Sequence, residues 1–138
     1  AEVRVLDMMH DSSIGVIGLS SLPAGMDIWS DKLFVACPDD VASFPGNRGA
    51  VAVVDMHTNT VVKKIKTGYQ PYDIAIDDER MIAAVVNANI SSSGPASHHV
   101  SGCGNRNGNV TFIDLNTMEL LPRKQLEVAV FPFSVSAR

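Results

Sequence analysis

"VAVVDMHTNTVVKKIKTGYQPYDIAIDDERMIAAVVN", residues 51–87, reads as four short strands separated by three turns. Its apolar residues recur with a period of two, Val and Ile dominate, and no window carries the 3.6-residue period of a helix. The strands are Ala50–Asp55 ("AVAVVD"), Thr60–Lys66 ("TVVKKIK"), Pro71–Ile76 ("PYDIAI") and Met81–Asn87 ("MIAAVVN"). "DDER" between the last two supports a hairpin. Asn59 and Gly68 suit tight-turn positions that need positive φ, and the Asp55 carboxylate is expected to accept hydrogen bonds from the turn after it.

Working outward, the first half of this stretch occurs three times: "VRVLDMMHDSSIGVIGL" (3–19), "VAVVDMHTNTVVKKIKTG" (51–68) and "NVTFIDLNTMELLPRKQL" (109–126). Each has an alternating strand, an Asp (Asp7, Asp55, Asp114), a polar turn and a second strand. An apolar stretch follows each: "AGMDIW", "QPYDIAID" and "FPFSVSA". After the first two comes another strand, "KLFVAC" (32–37) and "RMIAAVVN" (80–87). The unit is therefore four antiparallel strands, designated A to D, with A as "PYDIAI", B as "MIAAVVN", C as "AVAVVD" and D as "TVVKKIK". A four-stranded repeat of roughly 40–45 residues predicts an all-β fold of β-propeller blades. The chain divides into a blade remnant (1–22), two whole blades (23–68 and 69–127) and the start of another (128–138). Closure of a ring takes about four or more blades, so about two and a half blades form part of a larger propeller, and the isolated chain is not expected to be a stable closed monomer.

The residues resemble one family in particular, the YVTN-type β-propeller repeat of surface-layer and periplasmic proteins. Val53-Val54-Asp55-Met56-His57-Thr58-Asn59-Thr60-Val61-Val62 matches its "VID…T.TN.VV" segment. Ile65-Lys66-Thr67-Gly68 and Pro71-Tyr72-Asp73-Ile74-Ala75 match "I.VG..P.GIA", and Ala84-Val85-Val86-Asn87 stands where "YVTN" stands. Phe34-Val35-Ala36-Cys37 holds that place one blade earlier, with Cys for Asn. The N-terminal unit departs most, since "MMHDSSIG" lacks the Thr-Asn turn. The resemblance implies an extracytoplasmic location (periplasmic, secreted or cell surface) and a binding or scaffolding role.

The bulk numbers agree with a globular domain and exclude several classes. The 138 residues are 46% hydrophobic and 19% charged, with a net charge of −4. A mildly acidic chain without clustered Lys and Arg gives no nucleic-acid surface. No apolar run approaches the roughly 20 residues of a membrane span. The start, Ala1-Glu2-Val3-Arg4, reads as processed or excised.

Two enlarged loops, Pro38–Gly49 and Ala88–Gly108, both join strand B to strand C and so lie on one rim of the propeller. Insertions gathered on one face of a repeat protein mark a binding face. The candidate ligand- or partner-binding residues are Asp39, Asp40, Phe44, Asn47, Arg48, His98, His99, Asn105 and Arg106. His98, His99 and Cys103 include zinc- and copper-binding residue types, but adjacent histidines on an extended chain point apart, and no second ligand cluster appears. The stronger expectation for residues 88–108 is an exposed, irregular loop without a metal. Cys37 and Cys103 fall on the same rim and form a possible disulfide, the alternative being two separate thiols. His10 and His57 fall in C–D turns on the opposite face. "GCGNRNG" leads from strand to strand instead of into a helix, which argues against a phosphate loop. The sequons at Asn89 and Asn109 carry meaning only in a eukaryotic secretory setting.

No catalytic triad, close carboxylate pair or cofactor motif is evident, so the leading expectation is a non-catalytic binding or scaffold module without a cofactor of its own. Its partners are the remainder of the propeller or other protein subunits. The alternative is a propeller subunit or domain of an extracytoplasmic redox enzyme, amine-dehydrogenase-like or haem-associated, that positions a cofactor-bearing partner. A propeller hydrolase or lactonase would need polar residues on the channel-mouth ends of several blades.

Overall fold

The structure, a computed structural model, describes residues 1–89 and 107–137. It is all-β, with antiparallel sheets and no helix among the described residues. β1 (Glu2–Asp7) and β2 (Ser12–Gly18) pair as a hairpin. β3 (Met26–Trp29), β4 (Lys32–Cys37), β5 (Ala50–Asp55) and β6 (Thr60–Ile65) form one four-stranded sheet in chain order. β7 (Pro71–Asp77), β8 (Ile82–Asn87), β9 (Asn107–Asp114) and β10 (Glu119–Val130) form the second. Strands A to D are thus β3–β6 in the first blade and β7–β10 in the second, while β1–β2 supplies C and D of a blade before them. β10 bulges around Pro122, where Arg123 takes φ 57°, as an outer strand that must accommodate a proline does.

Packing between sheets explains why β4 and β5 are apolar at nearly every position. Leu33, Val35, Cys37, Ala52 and Val54 face the β1–β2 hairpin and bury Ile17. Phe34, Val51 and Val53 face the other way, onto Ile74, Ala83, Val85, Ile113 and Leu115 of the second blade. Both faces of the first blade are therefore inside, which gives a continuous hydrophobic run in place of strict alternation. Val53, Ile65, Ile74, Val85 and Ile113 are buried. Ile76 is partly buried against the same cluster. Lys66 is exposed, whereas Lys63 lies along the blade boundary and donates from Nζ to the Thr117 carbonyl at 3.2 Å.

The three C–D turns are built alike. Asp7 Oδ1 accepts from Met9 N at 2.8 Å, Asp55 Oδ1 from His57 N at 2.9 Å and Thr58 N at 3.0 Å, and Asp114 Oδ1 from Asn116 N at 2.9 Å and Thr117 N at 3.0 Å. Four residues after each Asp, the backbone turns left-handed, at Asp11 (φ 46°), Asn59 (φ 55°) and Met118 (φ 53°). Gly68 differs from expectation. Its φ is not positive; glycine is needed because a Cβ there would collide with the Asn87 and Asn109 side chains.

Candidate functional site

The B–C loops and the links from strand D to the next strand A lie on one rim, and their hydrogen bonds tie them together. In the D–A link between β6 and β7, Gln70 N donates to the Arg48 carbonyl at 2.6 Å, while Ala88 N donates to the Gln70 carbonyl at 2.9 Å and Asn89 N to the Tyr69 carbonyl at 3.0 Å. One link is thus held between two B–C loops. Gly49, at φ 101°, lies where a Cβ would strike the Pro71 ring, so the loop closes directly onto the start of β7.

Loop 38–49 is organised from below by Asp40, which is only 2% exposed. Its Oδ1 accepts from Ala42 N at 3.2 Å and Ser43 N at 3.0 Å, and its Oδ2 from Ser43 Oγ at 2.7 Å, Ser20 Oγ at 2.7 Å and Lys64 Nζ at 2.8 Å. Burial by itself would raise the Asp40 carboxyl, but the bonds from Lys64, Ser20 and Ser43 outweigh it and hold the group well below the usual carboxylate range. Three segments, the β2–β3 link, loop 38–49 and β6, are thereby joined at one charge.

The remaining expected rim residues within the described part have different exposures. Asp39 and Arg48 form an open ion pair, with Arg48 Nε and Nη2 donating to Asp39 Oδ1 at 2.8 and 2.6 Å. Asn47 Nδ2 donates to the Gly49 carbonyl at 2.9 Å, and Phe44 is half-buried. The structure brings Asp39 to Arg48 and Asp40 to Ser43 and Lys64. His98, His99, Cys103, Asn105 and Arg106 lie outside the described residues. Cys37 is a buried free thiol, 1% exposed, with Sγ 3.7 Å from the Val35 carbonyl oxygen, and burial pushes its pKa up. In the second blade the same place is held by buried Asn87, whose Nδ2 donates to Asn109 Oδ1 and Thr111 Oγ1, each at 3.0 Å. The opposite face carries His10, bonded through Nδ1 to Asp7 Oδ2 at 2.6 Å, and His57, 4.0 Å from Asp31, so these two histidines lie away from the rim. Among the described residues no three His, Cys, Asp or Glu side chains converge as metal ligands.

One feature of the rim escaped the loop-based reading. The chain has one Trp, two Tyr and five Phe, and five of these eight (Phe44, Tyr69, Tyr72, Phe131 and Phe133) stand at the rim end of the fold. Tyr72 meets Phe133 edge-on, with ring centroids 5.5 Å apart, and Phe131 stacks on Phe133 at 6.1 Å. Phe133 remains 62% exposed. The signal was present in the D–A links, where "YQPY" and "FPF" both set aromatic residues around a proline.

Comparison with solved structures places this fold among β-propellers. The chain is similar to Kuenenia stuttgartiensis hydrazine synthase, with a TM-score of 0.67 and 21% identity over 93% of this chain and 31% of that one. It is also similar to the Dos1 propeller (TM-score 0.55, 15% identity, 93% of this chain and 31% of that one). A third is the dihydro-heme d1 dehydrogenase NirN in complex with DHE (TM-score 0.51, 15% identity, 91% and 33%). The chain spans about a third of the length of each. No family profile and no curated protein sequence matches it. These likenesses establish the propeller fold.

Proposed function

We propose that this chain is a segment of an extracytoplasmic β-propeller that serves as a non-catalytic binding scaffold, presenting its B–C loop rim to a protein partner. The concentration of aromatic side chains on that rim carries the reading: Tyr72, Phe131 and Phe133 offer rigid, partly exposed rings on the same rim as the Asp39–Arg48 pair. Aromatic residues and Arg are the side chains that dominate protein interfaces, because they bury large area at low cost in conformational entropy. The Asp40 network supports the same view, since it gives loop 38–49 one shape before any partner arrives, which lowers the ordering cost of binding.

A more specific version has the partner carry a redox cofactor. Two of the similar propellers belong to redox enzymes, a hydrazine synthase and a dihydro-heme d1 dehydrogenase. In that arrangement the propeller positions the partner and holds no cofactor itself.

Affinity isolation of the tagged protein from its native source tests both versions. Wild-type protein brings down a partner that the Tyr72→Ala/Phe133→Ala double variant loses by about tenfold or more, the effect of one interface hot spot. Under the redox version the recovered complex also shows cofactor absorption. Equal recovery by wild type and the double variant would reject the rim as the binding face.

A further inference from the structure

We infer that residues 121–124, the "LPRK" segment of β10, block the outer edge of the second blade against strand addition by a second copy of this chain. β6 and β10 are strand D of their blades and stand at the outer end of their sheets, each with one edge that no described strand covers. β10 spans 12 residues against 6 for β6. Unbroken, it would offer an edge of roughly 40 Å, and an open edge of that length is a template for pairing with another chain. Its second half adds to the hazard. "QLEVAVF", residues 125–131, is mostly apolar with a single charge, the composition of segments that stack as paired sheets.

The ladder is broken where that edge would otherwise run straight. Inner ladders are continuous: β4 pairs with β5 over six residues without a shift, and β8 with β9 likewise. β10 never holds register with β9 for more than three consecutive pairs, from Gln125↔Thr111 to Glu127↔Asn109. Residues 121–124 all stand opposite Phe112, between Leu120↔Ile113 and Gln125↔Thr111. At the same place β2 and β6 carry one extra residue each, Ile14 and Val62. The second blade has therefore enlarged a bulge that the other strands keep small, and each residue in it obstructs pairing. Pro122 has no N–H to offer an incoming strand. Arg123, at φ 57°, turns the backbone out of the line of the edge. Arg123 and Lys124 are exposed cations, and two β10 edges pairing about their midpoints would bring both sets of like charges together.

The test follows light scattering and thioflavin fluorescence of the full-length protein at rising concentration. Deleting residues 122–124 sets Leu121 opposite Phe112 and joins 119–121 to 125–127 in one ladder. This variant is expected to associate at least about tenfold faster than wild type, with the amides of residues 125–130 protected from exchange in the aggregate. Arg123→Ser/Lys124→Ser keeps the bulge and loses only the charges; it is expected to associate faster than wild type at an unchanged urea midpoint. Arg123→Glu/Lys124→Glu restores like-charge repulsion and is expected to stay dispersed. A deletion variant that keeps its fold and stays as dispersed as wild type would overturn the proposal. So would aggregates in which residues 125–130 exchange freely, or a glutamate pair that associates as fast as the serine pair. Where the deletion unfolds the blade, the serine pair decides alone, and association no faster than wild type overturns the proposal.

Discussion

Asp27 Oδ2 accepts a hydrogen bond from the backbone N–H of Ile76 in the next blade at 2.8 Å, while Asp27 Oδ1 accepts from Ile28 N at 2.8 Å. Asp73 repeats the device, taking Val135 N on Oδ2 and Ile74 N on Oδ1, both at 3.0 Å. An aspartate at the third position of "GMDIW" and of "PYDIA" therefore latches each innermost strand to the one that follows. It also places residues 131–137, which form no strand ladder, where the next strand A belongs.

Removing a latch should uncouple the two blades. Asp27→Ala leaves two backbone N–H groups without acceptors and is expected to cost about 1–3 kcal/mol. Asp27→Asn keeps one acceptor oxygen and should lose about half of that. Urea midpoints of the three proteins check the order; equal midpoints would mean that the latch contributes nothing.

Gly68 tests the close approach at the rim. Gly68→Ala drives a methyl group into Asn87 and Asn109, both buried, and should destabilise the protein by about 1–3 kcal/mol. Gly18→Ala meets no atom within 4 Å and should stay within about 0.5 kcal/mol of wild type. Thermal melts of the pair separate steric crowding from any general intolerance of alanine.

The repeat was legible in the sequence because strand alternation and the Asp-turn unit are local signals. "VAVVD" and "FIDLN" carry their own hairpins without reference to the rest of the chain, and Asp55 and Asp114 bond as their place in the turn requires. The Asp27 and Asp73 latches and the Asp40–Lys64 contact were not legible, because they join residues far apart in sequence whose meeting depends on blade-to-blade geometry. Gly68 was read as a turn glycine for a related reason: crowding by Asn87 and Asn109 exists only once β8 and β9 are assembled around it. Asp40 looked like a free rim carboxylate beside Asp39, and only its burial separates the two.

Acid should loosen the fold from the turns and the rim together. The Asp55 carboxyl is lowered to about 2, first by the bond from Thr58 N and then by Lys32. Asp40 is lowered as well. A carboxylate with a depressed folded pKa adds stability above its unfolded value of about 4 and loses that contribution as pH falls through the folded value. Urea midpoints should therefore decline from about pH 4 toward pH 2. Asp55→Asn should flatten that decline, and an unchanged slope would contradict the assignment.

Cys37 should behave as an inert thiol. Its burial raises the pKa and leaves little thiolate near neutrality. Alkylating reagent is expected to reach Cys37 only when the protein unfolds, as followed by peptide mass mapping. Rapid modification of the native protein would show that the strand end opens.

Whether these blades sit in a closed ring that binds its partner through the B–C rim is tested by a cryo-electron microscopy map of the native assembly, isolated with its partner bound. The map is expected to show the two blades continued into a closed propeller, with partner density over Tyr72, Phe133 and loop 38–49. Partner density on the opposite face, over the turns that carry His10 and His57, or a chain outside any propeller ring, would contradict it.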